Sequence, residues 1–201
     1  SSGINQKPLP TGDLSRSLSP PIVMRHKPIN KKLFAQNRQR LAELIAPKSL
    51  AVLNANDVLP TNADGSLPMQ PNADLFYLSG IEQEESILLL FPDAADNKHR
   101  EILFLRQPNQ HMQIWEGYKH TKEDVRKISG VKNIQWLSEF PVMFRSLMCE
   151  AESAYLNSNE YKRAKVEVET RDARFIRQCR KDFPLHTYRR LAPLLHQLRV
   201  V

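Results

Sequence analysis

Two cysteines in 201 residues are too few for a disulfide framework, and Cys149 and Cys179 stand far apart without a Cys-x-x-Cys spacing. Reduced thiols are the expectation, and one long-range bridge is the only pairing the sequence leaves open. Glycine is scarce as well, at six residues. No Gly-x-Gly-x-x-Gly, Gly-x-Ser-x-Gly or P-loop pattern occurs, which removes the common phosphate cradles and the nucleophile elbow. Long apolar runs are missing, the longest being Ile87–Phe91. That is far short of the roughly 20 residues a membrane-spanning helix needs. The opening "SSGINQKPLP" lacks the apolar heart of a signal peptide. Six histidines are scattered at 26, 99, 111, 120, 186 and 196. None forms His-Glu-x-x-His or another ligand pair at helical spacing, so structural or surface roles are favoured over metal binding.

Charge is plentiful but uneven. The net +7 resolves into +7 for residues 1–48, −6 for 49–159 and +6 for 160–201. A nucleic-acid reader concentrates positive charge on its reading element. Here the basic residues fall on helix-like text, where a solvated face explains them. The expectation is no nucleic acid and no membrane, with the cytoplasm as default compartment.

Pro8, Pro10, Pro20, Pro21 and Pro28 crowd residues 1–30, which show almost no periodicity and read as an extended or disordered arm. From Asn30 the pattern turns helical: Leu33, Phe34, Leu41, Leu44 and Ile45 recur at helical spacing, Asn30 caps the start and Pro47 stops it. Residues 49–56 read as a buried strand and 57–73 as a long polar turn region. Strands are expected at 74–79, 86–91 and 101–106, the last two antiparallel across a turn-rich link. "TKEDVRKI" (121–128) opens with a Thr-x-x-Asp capping box and predicts a short helix. A short strand follows near 133–137. "SEFPVMFRSLMCEA" predicts a helix capped by Ser138, with Phe140, Phe144, Leu147 and Met148 inward and Cys149 packed beside them. A strand at 153–157 and helices near 171–182 and 190–199 complete the pattern. No internal repeat is evident. This alternation argues for a three-layer α/β domain over residues 31–201, with a mixed sheet between helices.

Candidate site residues are few. Of Glu84 and Glu85, before the 86–91 strand, one reads as merely solvated. Asp64 lies in "TNADGS", where a turn role is favoured over a site role. Trp115, in "QIWEGYKH", offers a large rigid wall in a polar loop, or an anchor folded back on the core.

"NADLFYLSGIEQEESILLLFP" and "REILFLRQPNQHMQIWEGYKHTKEDVRKISGV" resemble the N-terminal domain of aminopeptidase P (Xaa-Pro aminopeptidase), of the creatinase/prolidase superfamily. The likeness is an Asn-Ser/Ala-Asp-aromatic-Tyr-Leu-Thr/Ser-Gly turn, two strands, and Glu/Gln-x-Trp-x-Gly before a short helix. The closing "LAPLLHQLRVV" is similar to the approach to that family's catalytic domain. The similarity covers about residues 31–201. It implies a creatinase-like, ribonuclease-H-like fold. It also implies a separate pita-bread catalytic domain, whose two Asp, one His and two Glu hold two divalent ions, usually manganese. The chain would then be the non-catalytic half of a metallopeptidase, with no catalytic residue or metal of its own. Trp115 matches the Trp that, in the family, helps wall a neighbouring subunit's substrate pocket. Asp64 matches an Asp close to that same site. One departure is Gln70-Pro71, where related sequences carry Arg-Gln. No role is carried over to the basic helix 171–182.

The reading this supports is a domain that mediates homo-oligomer contacts and completes the site for peptides with proline at the second position. Its partners would be its own catalytic domain, further copies of itself and those peptides. The alternatives are the equivalent domain of a prolidase, or a non-enzymatic protein-binding module of the same fold.

Overall fold

The computed structural model describes residues 30–55, 59–60, 66–67, 73–83, 85–107, 121–157 and 171–200. The expected arm therefore lies almost wholly outside the described residues. Helix α1 (Lys31–Leu44) starts where the cap was expected, with the Asn30 side chain accepting from the Lys32 amide at 3.0 Å. Strand β1 (Ser49–Asn54) is buried along its whole length. Two short strands, β2 (Leu59–Pro60) and β3 (Ser66–Leu67), pair antiparallel inside the expected turn region.

Helix α2 (Ala73–Ser79) replaces the strand expected over 74–79. Short apolar runs fit either period. Here the buried residues are Leu75, Leu78 and Ser79, a helical spacing, and Asp74 sits in the first turn where the helix dipole favours it. Strands β4 (Ile87–Leu90) and β5 (Glu101–Leu105) follow and are antiparallel, as expected. Helix α3 (Lys122–Ser129) carries the full Thr121/Asp124 capping box and ends at Gly130. Strand β6 is Asn133–Trp136.

Helix α4 (Phe140–Glu150) buries the four expected residues, but Ser138 does not cap it. Ser138 belongs to a 3-10 turn, Leu137–Glu139, and Pro141 opens the helix with no side-chain cap. Pro fits there because the first helical amides have no intrahelical acceptor. Cys149 is exposed, against the expectation of packing, since it falls one position past the inward stripe; the buried thiol is Cys179. Both cysteines are free. Strand β7 (Ser153–Leu156) leads towards α5 (Arg171–Asp182). Strand β8 (Thr187–Arg190) was not anticipated, because "TYRR" at an exposed sheet edge carries no apolar alternation. Helix α6 (Ala192–Arg199) is the last element.

The six-stranded sheet has the order β6-β5-β4-β1-β7-β8, with only β4 antiparallel to its neighbours. Strand alternation sorts the core into two layers. Ala51, Leu53, Leu88, Leu90, Leu103, Leu105 and Tyr155 pack with residues from α1, α2, α3 and α6. Leu50, Val52, Ile87, Leu89, Ile102, Phe104, Ala154 and Leu156 face α4 and α5 on the other side. This is the mixed, three-layer α/β sandwich expected, with near-continuous apolar strands because both faces are covered.

Arg38 is the exceptional core residue, at 1% exposure. Its Nη1 donates to the carbonyls of Leu78 and Ser129, both at 2.8 Å. Its Nε lies 3.3 Å from Glu101 Oε1, an ion pair outside hydrogen-bond alignment. Burial pulls the guanidinium pKa down, and Glu101 pushes it back. Nothing in the sequence pattern singled it out, since an Arg on an amphipathic helix ordinarily reads as solvated.

Candidate functional site

Because β4 alone is reversed, the C-terminal ends of the other strands share one edge of the sheet. In register, Asn54 of β1 lies beside Ile87 of β4, which lies beside Phe104 of β5. Leu156 of β7 sits two residues short of that row, against Val52. The connections after β1, β5 and β7 therefore all depart from the same edge. Asp64 is in the first, between β2 and β3, and Trp115 is in the second, between β5 and α3. Both residues lie outside the described residues, as do His111, His120 and Glu84. Such an edge is where α/β sheets commonly place ligand-binding loops.

The described side chains there form a polar tie. Asn54, 3% exposed, donates through Nδ2 to Asp172 Oδ1 at 3.2 Å. Arg171, the neighbour of Asp172 at the start of α5, donates to the Glu85 carbonyl at 2.9 Å. The Glu85 carboxylate pairs with Arg106 at 3.3 Å, just past the end of β5. Glu85 thus has a partner, and its φ of 61° is left-handed. Tertiary ties from α5 and β5 hold it in that costly conformation. The buried Ser86 hydroxyl and Gln83 amide have no hydrogen-bond partner among the described residues.

This arrangement can orient and bind, but the described part holds no catalytic set. Neither thiol belongs to the tie, and of the described histidines His186 instead meets the Met148 carbonyl at 2.6 Å through Nε2. No group of His, Cys, Asp or Glu among the described residues could hold a metal ion. These residues therefore do not fit a metal centre, and no metal-dependent step is derived from them. No helix among them is long and apolar enough to cross a membrane.

The family model described as "Aminopeptidase P, N-terminal domain" matches residues 34–156. The chain belongs to that family. It is 25% identical over 173 residues to the Xaa-Pro aminopeptidase of Escherichia coli, covering 86% of this chain and 39% of that protein. It is 31% identical over 97 residues to intermediate cleaving peptidase 55 of Saccharomyces cerevisiae, covering 47% of this chain and 19% of the relative. Among solved structures, an aminopeptidase P from Bacillus anthracis matches with a TM-score of 0.77 and 26% identity, over 86% of this chain and 41% of that one. A zinc-substituted E. coli aminopeptidase P in complex with product matches with a TM-score of 0.65 and 26% identity, over 86% of this chain and 39% of that one. The chain spans about two fifths of the length of the E. coli and B. anthracis proteins.

The family motif "NADLFYLSG" now has a structural reading. Of its residues, Ala73–Ser79 form a helix rather than a turn, Gly80 ends it, and Asp74 and Tyr77 engage Arg199 of α6. That engagement was not legible from the sequence, since about 120 residues separate the partners.

Proposed function

We propose that this domain is the non-catalytic N-terminal part of an Xaa-Pro aminopeptidase, a hydrolase that removes the residue preceding proline. The observation that carries the reading is the departure of the Asp64 and Trp115 connections from one sheet edge, in a chain of this family. Two connections on one edge can reach a common target, and a planar indole face suits a proline ring. A loop carboxylate can order an Arg or Tyr across an interface. In this proposal the target is the substrate site of a neighbouring subunit, and the domain also contributes oligomer contacts. Two divalent ions, manganese by family expectation, belong to the parent's catalytic domain. The domain alone has no peptidase activity. The cytoplasm remains the expected compartment, and two free thiols are compatible with a reducing one.

The test uses the longer parent protein. Trp115→Ala lowers kcat/KM on an Xaa-Pro peptide by roughly tenfold, the scale of one lost aromatic contact. Mixing Trp115→Ala subunits with subunits lacking a metal ligand restores activity if the indole acts across the interface. No recovery in proven mixed oligomers would refute action in trans. Unchanged kinetics in Trp115→Ala itself would return the residue to a packing role.

A further inference from the structure

Helix α6 is only eight residues long (Ala192–Arg199), too short to hold itself in water. Leu191, Leu195 and Leu198 anchor one side of it in the core. Beyond those leucines, three groups seize its last turn. Arg40 of α1 donates from Nη2 to the Leu198 carbonyl at 3.1 Å, placing a cation where the helix dipole is negative. Arg199 Nη2 lies 2.5 Å from Asp74 Oδ1 at the start of α2. The same guanidinium sits 5.5 Å above the Tyr77 ring. So α1, α2 and α6 are knotted at the last residue of the helix, next to the exposed Val200.

The energetics narrow what this knot is for. The Arg199 side chain is 43% exposed and that of Asp74 27%. A pair this open adds little to stability, because water screens it and a long side chain must be ordered. The leucines already fix the helix against the sheet. What the polar grip adds is direction: a carboxylate and a ring face together leave the guanidinium, and the backbone attached to it, little rotational freedom.

We propose that Arg199, held by Asp74 and Tyr77, is a positioning residue that sets the direction in which the chain leaves α6. It thereby sets how the following catalytic domain lies against this one. This rests on the reading that such a domain follows in the parent protein.

The experiment compares wild type, Arg199→Met and the exchange Asp74→Arg/Arg199→Asp in the longer parent. One spin label goes on the exposed Cys149 and one on an introduced surface cysteine of the following domain. The buried Cys179 stays unlabelled. Arg199→Met should shift the melting midpoint by less than about 3 °C. The same variant should broaden the distance distribution between the labels and lower kcat/KM by roughly two- to fivefold, the most that so open a pair can supply. The exchange should narrow the distribution again. An unchanged distribution in Arg199→Met would overturn the proposal, as would a loss of activity no larger than the loss of stability explains. If the wild type cleaves no Xaa-Pro peptide, the peptidase reading fails while the distances still decide the positioning role. If no domain follows Val201 in the parent, the positioning role fails with it.

Discussion

Helices α2 and α3 end in the same local code but stand in different surroundings. Leu75-Phe76-Tyr77-Leu78-Ser79-Gly80-Ile81 and Val125-Arg126-Lys127-Ile128-Ser129-Gly130-Val131 share aliphatic-x-x-aliphatic-Ser-Gly-aliphatic. In each, the serine hydroxyl donates 2.6 Å back to the carbonyl four residues earlier, Leu75 or Val125. It also accepts from the amide two residues on, at 3.2 Å from Ile81 and 3.1 Å from Val131. Both glycines are left-handed, at φ +71° and +76°. The difference lies outside the code. A Cβ on Gly80 would stand 2.5 Å from the Phe34 ring, whereas one on Gly130 would meet nothing closer than 3.6 Å, at Arg38. A helix end is thus written locally, but its tolerance to change is set by what the tertiary structure presses against it.

Breaking both ends at once requires their shared residue. Arg38→Met removes the donor to Leu78 and Ser129 together and leaves Glu101 without its buried partner. Two buried carbonyls left without that donor put the loss at about 3–4 kcal/mol, the largest effect expected. Cys179 supplies the readout. Burial, assisted by the Asp182 charge, pushes its thiol up to about 12. At pH 8 it is therefore protonated and shielded in the folded domain, and it reacts only from the unfolded state. Its labelling rate should rise in Arg38→Met by the factor that denaturant unfolding gives. A rate unchanged from wild type would mean that the two carbonyls find other donors.

Gly80→Ala comes next. After the offset from a stiffer unfolded chain the left-handed backbone costs alanine about 1 kcal/mol, and overpacking against Phe34 adds about 2 more. Phe34→Leu in the same background should relieve the second part only. A double-mutant cycle with no coupling would show that the ring moves aside freely.

Most of the fold was legible because its signals are local. Asn30, the Thr121/Asp124 box, the Phe140–Met148 stripe and the apolar runs at 87–90 and 101–105 each act within one element. The expectations for Ser138 and Cys149 missed by a local shift of one turn or one position, while the larger failures share a tertiary cause. Residues 73–79 became a helix through tertiary packing of Leu75 and Leu78, and strand β8 exists because β7 offers it an edge. Arg38 and the Asp74–Arg199 pair are contacts between distant positions that no period announces. The residues alone marked Asp64 and Trp115 as candidates but left each with a turn or packing alternative, and only the resemblance gave them a role. Asp64 and Trp115 carry no local chemistry of their own, and what the fold adds is that their connections leave from a common edge.

The smallest expected effect sharpens the comparison most. Gly130→Ala meets the same backbone demand as Gly80→Ala without the clash. The left-handed penalty of about 1–2 kcal/mol is partly offset, because alanine also restricts the unfolded chain by about 0.4–1 kcal/mol. A net loss of about 1 kcal/mol should result, and Gly130→Asn should cost less, since asparagine tolerates this region. Chemical denaturation of both glycine variants side by side then isolates the packing term at Gly80, chiefly Phe34 with Ile128 beside it, as their difference. Equal losses at the two positions would mean that the shared code alone sets the cost of ending these helices. A gap of about 2 kcal/mol would assign it to the packing of α1 against α2.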